Sequence, residues 1–308
     1  MNTPLKLAGF ALGLVAVFGA AAGLGSVVGP VGPTAAAAAP GHGDEAGAHG
    51  ADPSGADPHG AGDAVPTADA ERPAGLMVSE DGHTLDLGTP TLPAGDATPL
   101  AFRVLGPDGS PVTRFDESHE QDLHLIAVRR DLSGFQHVHP TLGTDGTWTT
   151  PLALTPGAWR VFADFVPSAD GENRILGADV AVAGDFTPVP LPAEARTSEV
   201  DGYTVTLDGE LTAGAESELT LSVSRDGRPV TDLQPYLGAY GHLVVLRGGD
   251  LAYLHVHPAE DGGSGPGVGF STTAPSAGVY RLFLDFKHGS VVRTAAFTVS
   301  VAASEEDR

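Results

Sequence analysis

Two stretches of the sequence determine how the chain is organised: HLIAVRRDLSGFQHVHP at 124–140 and HLVVLRGGDLAYLHVHP at 242–258. Each stretch begins with a histidine and closes on His-Val-His-Pro, and the spacing between the histidines is the same in both. A single His-x-His pair is weak evidence for a site. A motif copied together with its spacing indicates that a whole structural unit was duplicated.

The duplication extends on both sides of these stretches. It defines two modules, at 77–185 and 197–302, which a proline-rich linker at 186–196 joins. The other matching segments are EDGHTLDL (80–87) with VDGYTVTL (200–207), PDGSPVT (107–113) with RDGRPVT (225–231), and PGAWRVFADF (156–165) with AGVYRLFLDF (277–286).

An all-β fold is predicted for both modules. The chain has 42 glycines and 25 prolines but few aromatic residues, a composition that favours short strands separated by turns. Each module contains about seven alternating segments in roughly 100 residues, which is typical of an immunoglobulin-like β-sandwich. An aromatic residue shortly after a glycine resembles a tyrosine corner, formed by Tyr280 in the second module and, without the hydroxyl, by Trp159 in the first.

The residues before the first module divide into two segments. In 1–39, Lys6 lies before a long apolar run and a poly-alanine stretch, the pattern of a signal peptide or of an uncleaved membrane anchor. Residues 40–76 are mainly glycine, alanine, aspartate, proline and histidine without apolar periodicity, so we expect a disordered linker. Its histidines either collect metal loosely or belong to a solvated spacer. At the other end, 303–308 form an acidic tail.

Composition restricts the function classes. The formal net charge is −23 at pH 7, which argues against nucleic acid or anionic lipid as partners and favours a surface that attracts cations. The chain has no cysteine, so disulfides, thiolate metal ligands and cysteine nucleophiles are excluded.

Each long repeated stretch predicts a β-hairpin that gathers three histidines. A two-residue turn at 249–250 in the second module sets a register that, transferred to the first, places His124 opposite His139. His137 shares the face of His139, because strand side chains alternate, and lies diagonal to His124. We expect this face to continue into an apolar core. The corresponding residues of the second module are His242, His255 and His257.

Three converging imidazoles suit a divalent transition metal ion, because imidazole nitrogens bind zinc, copper or nickel and three of them leave a position open. The only methionines are Met1 and Met77, so a methionine-rich Cu(I) site is not expected. We therefore expect one ion in each module, with Cu(II) preferred over zinc. The alternative is a structural hydrogen-bond network between the histidines.

Two copied carboxylates accompany the clusters, Asp164 within FADF and Asp285 within FLDF. A carboxylate among apolar strand residues needs a partner, because burying an isolated charge is costly. Each is a candidate fourth ligand, or a group that orients a histidine by accepting its second N–H. A salt bridge to the nearby Arg160 or Arg281 is the remaining possibility. Of the other histidines, His119 in DESHEQD could approach the first cluster, although it aligns with a leucine and is otherwise expected at the surface.

Taken together, DLHLIAVRRDLSGFQHVHP, PYLGAYGHLVVLRGGDLAYLHVHP and YRLFLDFKHG resemble the exported two-module His-x-His-Pro proteins of high-GC Gram-positive bacteria. The resemblance covers nearly all of 77–302. It implies a loose association with heavy metals or copper, without a defined activity.

The sequence thus predicts an extracytoplasmic metal-binding protein, secreted or anchored to the outer face of the cytoplasmic membrane. Buffering or delivery of the ion is expected, with a membrane metal transporter or another exported metal protein as partner. No enzyme is predicted: FQHVH resembles the copper strand of Cu/Zn superoxide dismutase, but that family needs further histidines and a disulfide. The alternative is a cell-surface or cell-wall interaction protein whose histidines are structural.

Overall fold

The computed structural model describes residues 73–254, 256–259 and 263–302. The predictions made for 1–39, for most of the linker, for His255 and for 303–308 lie outside these residues. Strands and turns make up the described part of the chain, and no helix in it could span a membrane. The all-β prediction is confirmed.

The first module is a sandwich of two sheets. One sheet has the strand order β1-β2-β4-β9-β8, and the other has the order β3-β11-β10-β6-β7 with β5 paired to β10. The strands are β1 (Ser79–Glu80), β2 (His83–Asp86), β3 (Thr91–Leu92), β4 (Gly95–Leu105), β5 (Phe115–Asp116), β6 (Leu123–Arg129), β7 (Gln136–Val138), β8 (Thr141–Leu142), β9 (Trp148–Leu154), β10 (Gly157–Pro167) and β11 (Arg174–Val182).

The second module repeats this architecture. Its larger sheet has the order β12-β13-β14-β19-β18 with β15 paired to β14, and its smaller sheet has the order β17-β16-β20-β21. The strands are β12 (Thr197–Val200), β13 (Tyr203–Asp208), β14 (Glu216–Arg225), β15 (Arg228–Pro229), β16 (His242–Arg247), β17 (Tyr253–Leu254), β18 (Val256–Pro258), β19 (Gly267–Thr273), β20 (Gly278–His288) and β21 (Val291–Val301).

Each sandwich encloses its own apolar core. Along β4 the buried residues Leu100, Phe102 and Val104 alternate with more exposed ones, which is the pattern of a strand with one face inward. Burying a side chain of this size contributes about 1.5–3 kcal/mol. Alternation of this kind, repeated across both sheets of each module, holds the sandwiches together.

The predicted corner is present in both modules. The Tyr280 hydroxyl donates to the carbonyl of Ser276 at 2.8 Å, and the Trp159 indole N–H donates to the carbonyl of Thr155 at 2.8 Å. Both acceptors lie four residues upstream of the ring. The indole nitrogen therefore takes the place of the missing hydroxyl in the first module.

A third apolar core lies between the modules and joins them into one compact unit. Along β6, Leu123 and Leu125 face the core of their own sandwich, whereas Ile126 and Val128 pack against the second module. The rings of Phe135 and Phe283 stack across the boundary at 4.0 Å between centroids. The other buried members of this core are Leu132, Phe162, Ile175, Val244, Leu246, Leu251 and Tyr253.

Residues 73–77 form a strap over this boundary, so the disorder predicted for 40–76 does not extend to 73–76. The Gly75 amide donates to the carbonyl of Ile175 in the first module at 2.9 Å, and the Tyr253 amide of the second module donates to the carbonyl of Ala74 at 2.9 Å. The buried guanidinium of Arg160 donates to the Gly75 carbonyl at 2.6 Å. These bonds fasten the strap to both modules.

Candidate metal centre

The histidines lie where the core between the modules ends. In the first module β6 pairs with β7 in the register Leu125 with Val138 and Ile126 with His137, so His124 stands opposite His139. The predicted register and shared face are therefore confirmed here. The apolar core that the face joins is, however, the one between the modules and not that of the first sandwich.

His124, His137 and His139 form a compact cluster, which we call the triad. One ligand nitrogen from each lies within 4.8 Å of the other two. The ring centroids are separated by 5.3 Å for His124 and His137, 5.1 Å for His124 and His139, and 5.0 Å for His137 and His139. These distances suit three ligands that share one ion after small side-chain movements.

Hydrogen bonds to oxygen define the outer nitrogens of two triad rings. His124 Nε2 donates to the carbonyl oxygen of Ser118 at 2.9 Å, since a carbonyl can only accept. His137 Nδ1 donates to Oδ2 of Asp285, a residue of the second module, at 2.8 Å. The Asp285 carboxylate is itself held by the hydroxyl of Thr294, which donates to Oδ1 at 2.5 Å.

These bonds leave the inner nitrogens of both rings without protons when the rings are neutral. The inner nitrogens, Nδ1 of His124 and Nε2 of His137, face each other at 3.0 Å. Two lone pairs at this distance repel unless a cation lies between them. Metal-ligating histidines characteristically donate their other N–H to a carboxylate or a carbonyl, and these two have that arrangement.

His139 supplies the third nitrogen. Its Nε2 atom is buried and has no hydrogen-bond partner among the residues that the structure describes. Burial, and to a smaller extent the neighbouring His137 and His124, lower the pKa of His139 to about 3. Burial also lowers the pKa of His124. A neutral imidazole with an unused buried nitrogen is the form that binds metal.

The two copied aspartates occupy different surroundings. Asp285 is buried, lies next to His242 in the sheet and bonds His137 of the facing module. Asp164 lies next to His124 in the sheet, and its Oδ1 accepts from the Asn173 amide at 2.7 Å. The salt bridges considered from the sequence are not formed, because the Arg160 guanidinium pairs with Asp179 and that of Arg281 with Thr298.

The second cluster is arranged differently from the first. Strand β16 pairs with β17 in the predicted register, Val245 with Leu254, although the turn spans four residues and not two. Beyond Leu254 the chain leaves this sheet, and β18 pairs with β19 of the other sheet, so that His257 lies opposite Ser271 and is exposed. The expectation that His257 faces His242 is therefore wrong, and His255 lies outside the described residues.

His242 stays close to the triad. Its Nε2 donates to the carbonyl of Tyr236 at 2.7 Å, the counterpart of the bond from His124 to Ser118. Its ring centroid lies 6.2 Å from that of His137 and 6.5 Å from that of His124. Burial lowers the pKa of His242 to about 4, against a smaller opposing effect of the Tyr236 carbonyl.

Two further rings lie near the triad, those of His119 and of Tyr236, and neither residue was among the predicted ligands. The exposed His119 has its ring centroid 5.2 Å from that of His242 and 5.9 Å from that of His124. Tyr236 lies 6.1 Å from His139 between ring centroids. The signal for both was their position a few residues before the first histidine of each hairpin.

A cleft of about 250 Å³ opens beside the triad between the two modules. His124 and His137 lie in its wall, which gives an ion a route from solvent to these two rings. The polar part of the wall is completed by Ser118, His119, Asp164, Asn173, His242 and His257.

Fold and site define a tandem immunoglobulin-like β-sandwich protein with a histidine cluster between its modules. The chain belongs to the family described as Domain of unknown function (DUF8832), which matches 78–184 and 198–303, one match for each module. The two-module organisation inferred from the repeat is thereby confirmed. No protein of curated function matches the sequence.

The likeness of this chain to solved structures is distant. The Escherichia coli adhesin FdeC is 18% identical with a TM-score of 0.23, and the match covers 73% of this chain and 65% of the adhesin chain. Fibronectin(III)-like modules of Clostridium thermocellum CbhA are 13% identical with a TM-score of 0.20, over 72% of this chain and 92% of theirs. Domains 5–6 of the S-layer protein SbsC are 12% identical with a TM-score of 0.22, over 72% and 96% respectively.

Proposed function

We propose that this protein binds a divalent transition metal ion outside the cytoplasm, at the triad of His124, His137 and His139. The observation that carries the proposal is the arrangement of three ring nitrogens: Nδ1 of His124 and Nε2 of His137 face each other at 3.0 Å, and Nε2 of His139 is buried without a partner among the described residues. Cu(II) is the preferred ion and zinc the second. Both ions take imidazole ligands readily.

The apolar run near the start of the sequence supports a location outside the cytoplasm. There the strongly acidic chain would collect cations, and the cleft would give them access to the triad. Buffering of the ion, or its delivery to a membrane metal transporter or another exported metal protein, is the role that follows. A second ion bound by His242, His255 and His257 stays a prediction.

A second candidate function is a cell-surface or cell-wall interaction protein with structural histidines. It is favoured by the 3.0 Å contact between His124 and His137, because an added proton would turn this contact into an N–H···N hydrogen bond. The network would then satisfy two of the three rings without metal.

Isothermal titration of the full exported chain with Cu(II), Zn(II) and Ni(II) separates the two. We expect His139→Ala to lose the tightest equivalent, and the matched variant His257→Ala, which changes an exposed histidine of the second module, to keep it. The histidines of the linker are present in every variant, so their contribution to metal binding cancels in the comparison. Equal binding by His139→Ala and the unmodified chain would support the interaction protein. Two equivalents retained by a chain that carries both His139→Ala and His257→Ala would contradict both predicted sites.

A further inference from the structure

Asp285 has an unusual position for a residue that touches the triad. It belongs to β20 of the second module, yet its carboxylate accepts the Nδ1 proton of His137 in the first. Both side chains are almost completely buried, with 5% of each exposed. Among the described residues, it is the hydrogen bond that joins the second module to a ring of the triad.

We propose that Asp285 is a positioning residue that couples metal binding at the triad to the docking of the two modules. The inference rests on the proposed function, since it concerns the same site. It adds that the triad is completed in its metal-binding form only when the second module is seated against the first.

The physical reason is the position of one proton. With the carboxylate in place, the proton of a neutral His137 is held on Nδ1 and Nε2 is free to bind metal. Without the carboxylate, the proton is more stable on Nε2, where it can be donated to Nδ1 of His124 only 3.0 Å away. That bond occupies both nitrogens that the ion would need.

The coupling acts in both directions. If docking raises the affinity for metal by some factor, thermodynamic linkage requires that metal strengthens docking by the same factor. The hydroxyl of Thr294 keeps the Asp285 carboxylate in place and so belongs to the same device.

Asp164 offers a matched control within the chain. It has the same place in the repeat, within FADF, but its described hydrogen bond goes to the Asn173 amide. Its removal takes away one carboxylate from the wall of the cleft beside the triad without removing the acceptor of His137. If Asp285→Ala weakens zinc binding more than Asp164→Ala does, the additional loss is due to the position of the carboxylate and not to its charge alone.

The test uses full-length chains carrying Asp285→Ala, Asp285→Asn, Thr294→Val or Asp164→Ala, titrated with Zn(II). We expect Asp285→Ala to weaken zinc binding by about 10–100-fold, the usual cost of losing the outer partner of a metal-ligating histidine. Asp285→Asn keeps the shape and an acceptor oxygen but not the charge, and Thr294→Val loosens the carboxylate, so both should show smaller losses. Asp164→Ala removes a carboxylate near the triad but not the acceptor of His137, so its loss should be clearly smaller than that of Asp285→Ala.

Two further measurements detect the proton and the coupling directly. Long-range ¹⁵N–¹H correlation of metal-free protein should show the His137 proton on Nδ1 in the unmodified chain and on Nε2 in Asp285→Ala. Zinc should slow hydrogen exchange at the Tyr253 amide, which is bonded to Ala74 in the strap over the module boundary, in the unmodified chain and much less in Asp285→Ala.

The outcomes are distinguishable. An unmodified chain that binds neither zinc nor, in the titration described above, Cu(II) removes the proposed function and this inference with it. Zinc binding that is equally tight in the unmodified chain, Asp285→Asn and Asp285→Ala leaves the metal centre standing and overturns the role of Asp285. If Asp285→Ala does not fold, Asp285→Asn and Thr294→Val still test the role of Asp285. Zinc binding in both that is as tight as in the unmodified chain would then overturn it.

Discussion

His139 is the residue whose replacement best separates a metal centre from a hydrogen-bond network. Its Nε2 atom has no described partner, so His139→Ala should change the stability of the metal-free protein little. It should abolish the stabilisation by zinc, which for one site is about 2.7 kcal/mol when free zinc is 100 times the dissociation constant. Thermal unfolding with and without zinc measures both quantities.

The matched variant for this experiment is His257→Ala, which should retain the zinc-dependent shift. A structural network predicts a different pattern, because removal of one partner from a buried hydrogen bond costs about 1–3 kcal/mol whether or not metal is present. A loss of that size in the metal-free protein, unchanged by zinc, would falsify the assignment of His139 as a ligand.

Protonation of the buried histidines should make the metal-free protein less stable in acid. The folded-state pKa is about 3 for His139 and about 4 for His242, whereas an unfolded histidine titrates near 6.5. The unfolded chain therefore binds more protons than the folded chain between these values. Stability should fall as the pH decreases from about 6.5 towards 4, by at most about 1.4 kcal/mol per pH unit for each group.

Urea unfolding in the presence of a chelator at several pH values measures this dependence. Carboxylates also titrate in this range, so the informative quantity is the difference between the unmodified chain and His242→Ala or His139→Ala. The free energy of unfolding of the unmodified chain minus that of the variant should decrease as the pH falls, since the variant has one fewer group to protonate on unfolding. A difference that is constant from pH 7 to pH 4 would contradict the neutral, buried state of these rings.

Among the structural elements, the strap of residues 73–77 depends on a glycine in the strand below it. A Cβ atom added to Gly177 would lie 2.0 Å from the carbonyl oxygen of Gly75 and 2.7 Å from the Arg160 guanidinium. The backbone oxygen cannot move aside alone, so Gly177→Ala should displace the strap and destabilise the chain by about 1–3 kcal/mol. Faster hydrogen exchange at the Gly177 and Tyr253 amides, which bond to the strap, is the expected signature.

Gly263→Ala is the control for this substitution, because a Cβ atom there meets nothing within 4 Å and the backbone is not left-handed. It should leave exchange at both amides unchanged. Unchanged exchange in Gly177→Ala as well would mean that the strap does not hold the modules in solution.

The two histidine hairpins show how much of the structure could be predicted from the sequence. The first hairpin was predictable because alternation and the copied histidines fix which residues share a face, and β6 and β7 pair as expected. The second hairpin has the same pattern, but after Leu254 the chain crosses to the other sheet, and β18 pairs with β19. Local periodicity cannot signal a change of sheet, because inward and outward side chains alternate in the same way in both sheets.

For the whole molecule, the sequence specified the number of modules but not how they are arranged. Ile126, Val128 and their counterparts Val244 and Leu246 were expected to continue the histidine face into an apolar core, and they do. Which core they join depends on the docking of two faces that are distant in the sequence. For the same reason the bond from Asp285 to His137, between residues 148 positions apart, could not be predicted from either repeat alone.

The core between the modules predicts that they unfold together. Phe283 is 3% exposed and stacks on Phe135, so isolated modules at 77–190 and 195–303 would each expose an apolar face that the intact chain buries. Calorimetry of the full chain should therefore show one cooperative transition, with the calorimetric enthalpy equal to the van't Hoff enthalpy. Modules that fold separately would instead give two transitions.

Replacing Phe283 tests whether this core is the cause. Phe283→Ala removes a buried ring, a change that typically costs about 3–5 kcal/mol, and here the loss falls on the contact between modules. We expect the single transition to split in two. Phe270→Ala removes a ring of similar burial from the second module's own core, and it should lower the transition temperature without splitting the transition. If Phe283→Ala also unfolds in one step, cooperativity between the modules arises elsewhere, with the strap and the bond from Asp285 to His137 as the remaining contacts to examine.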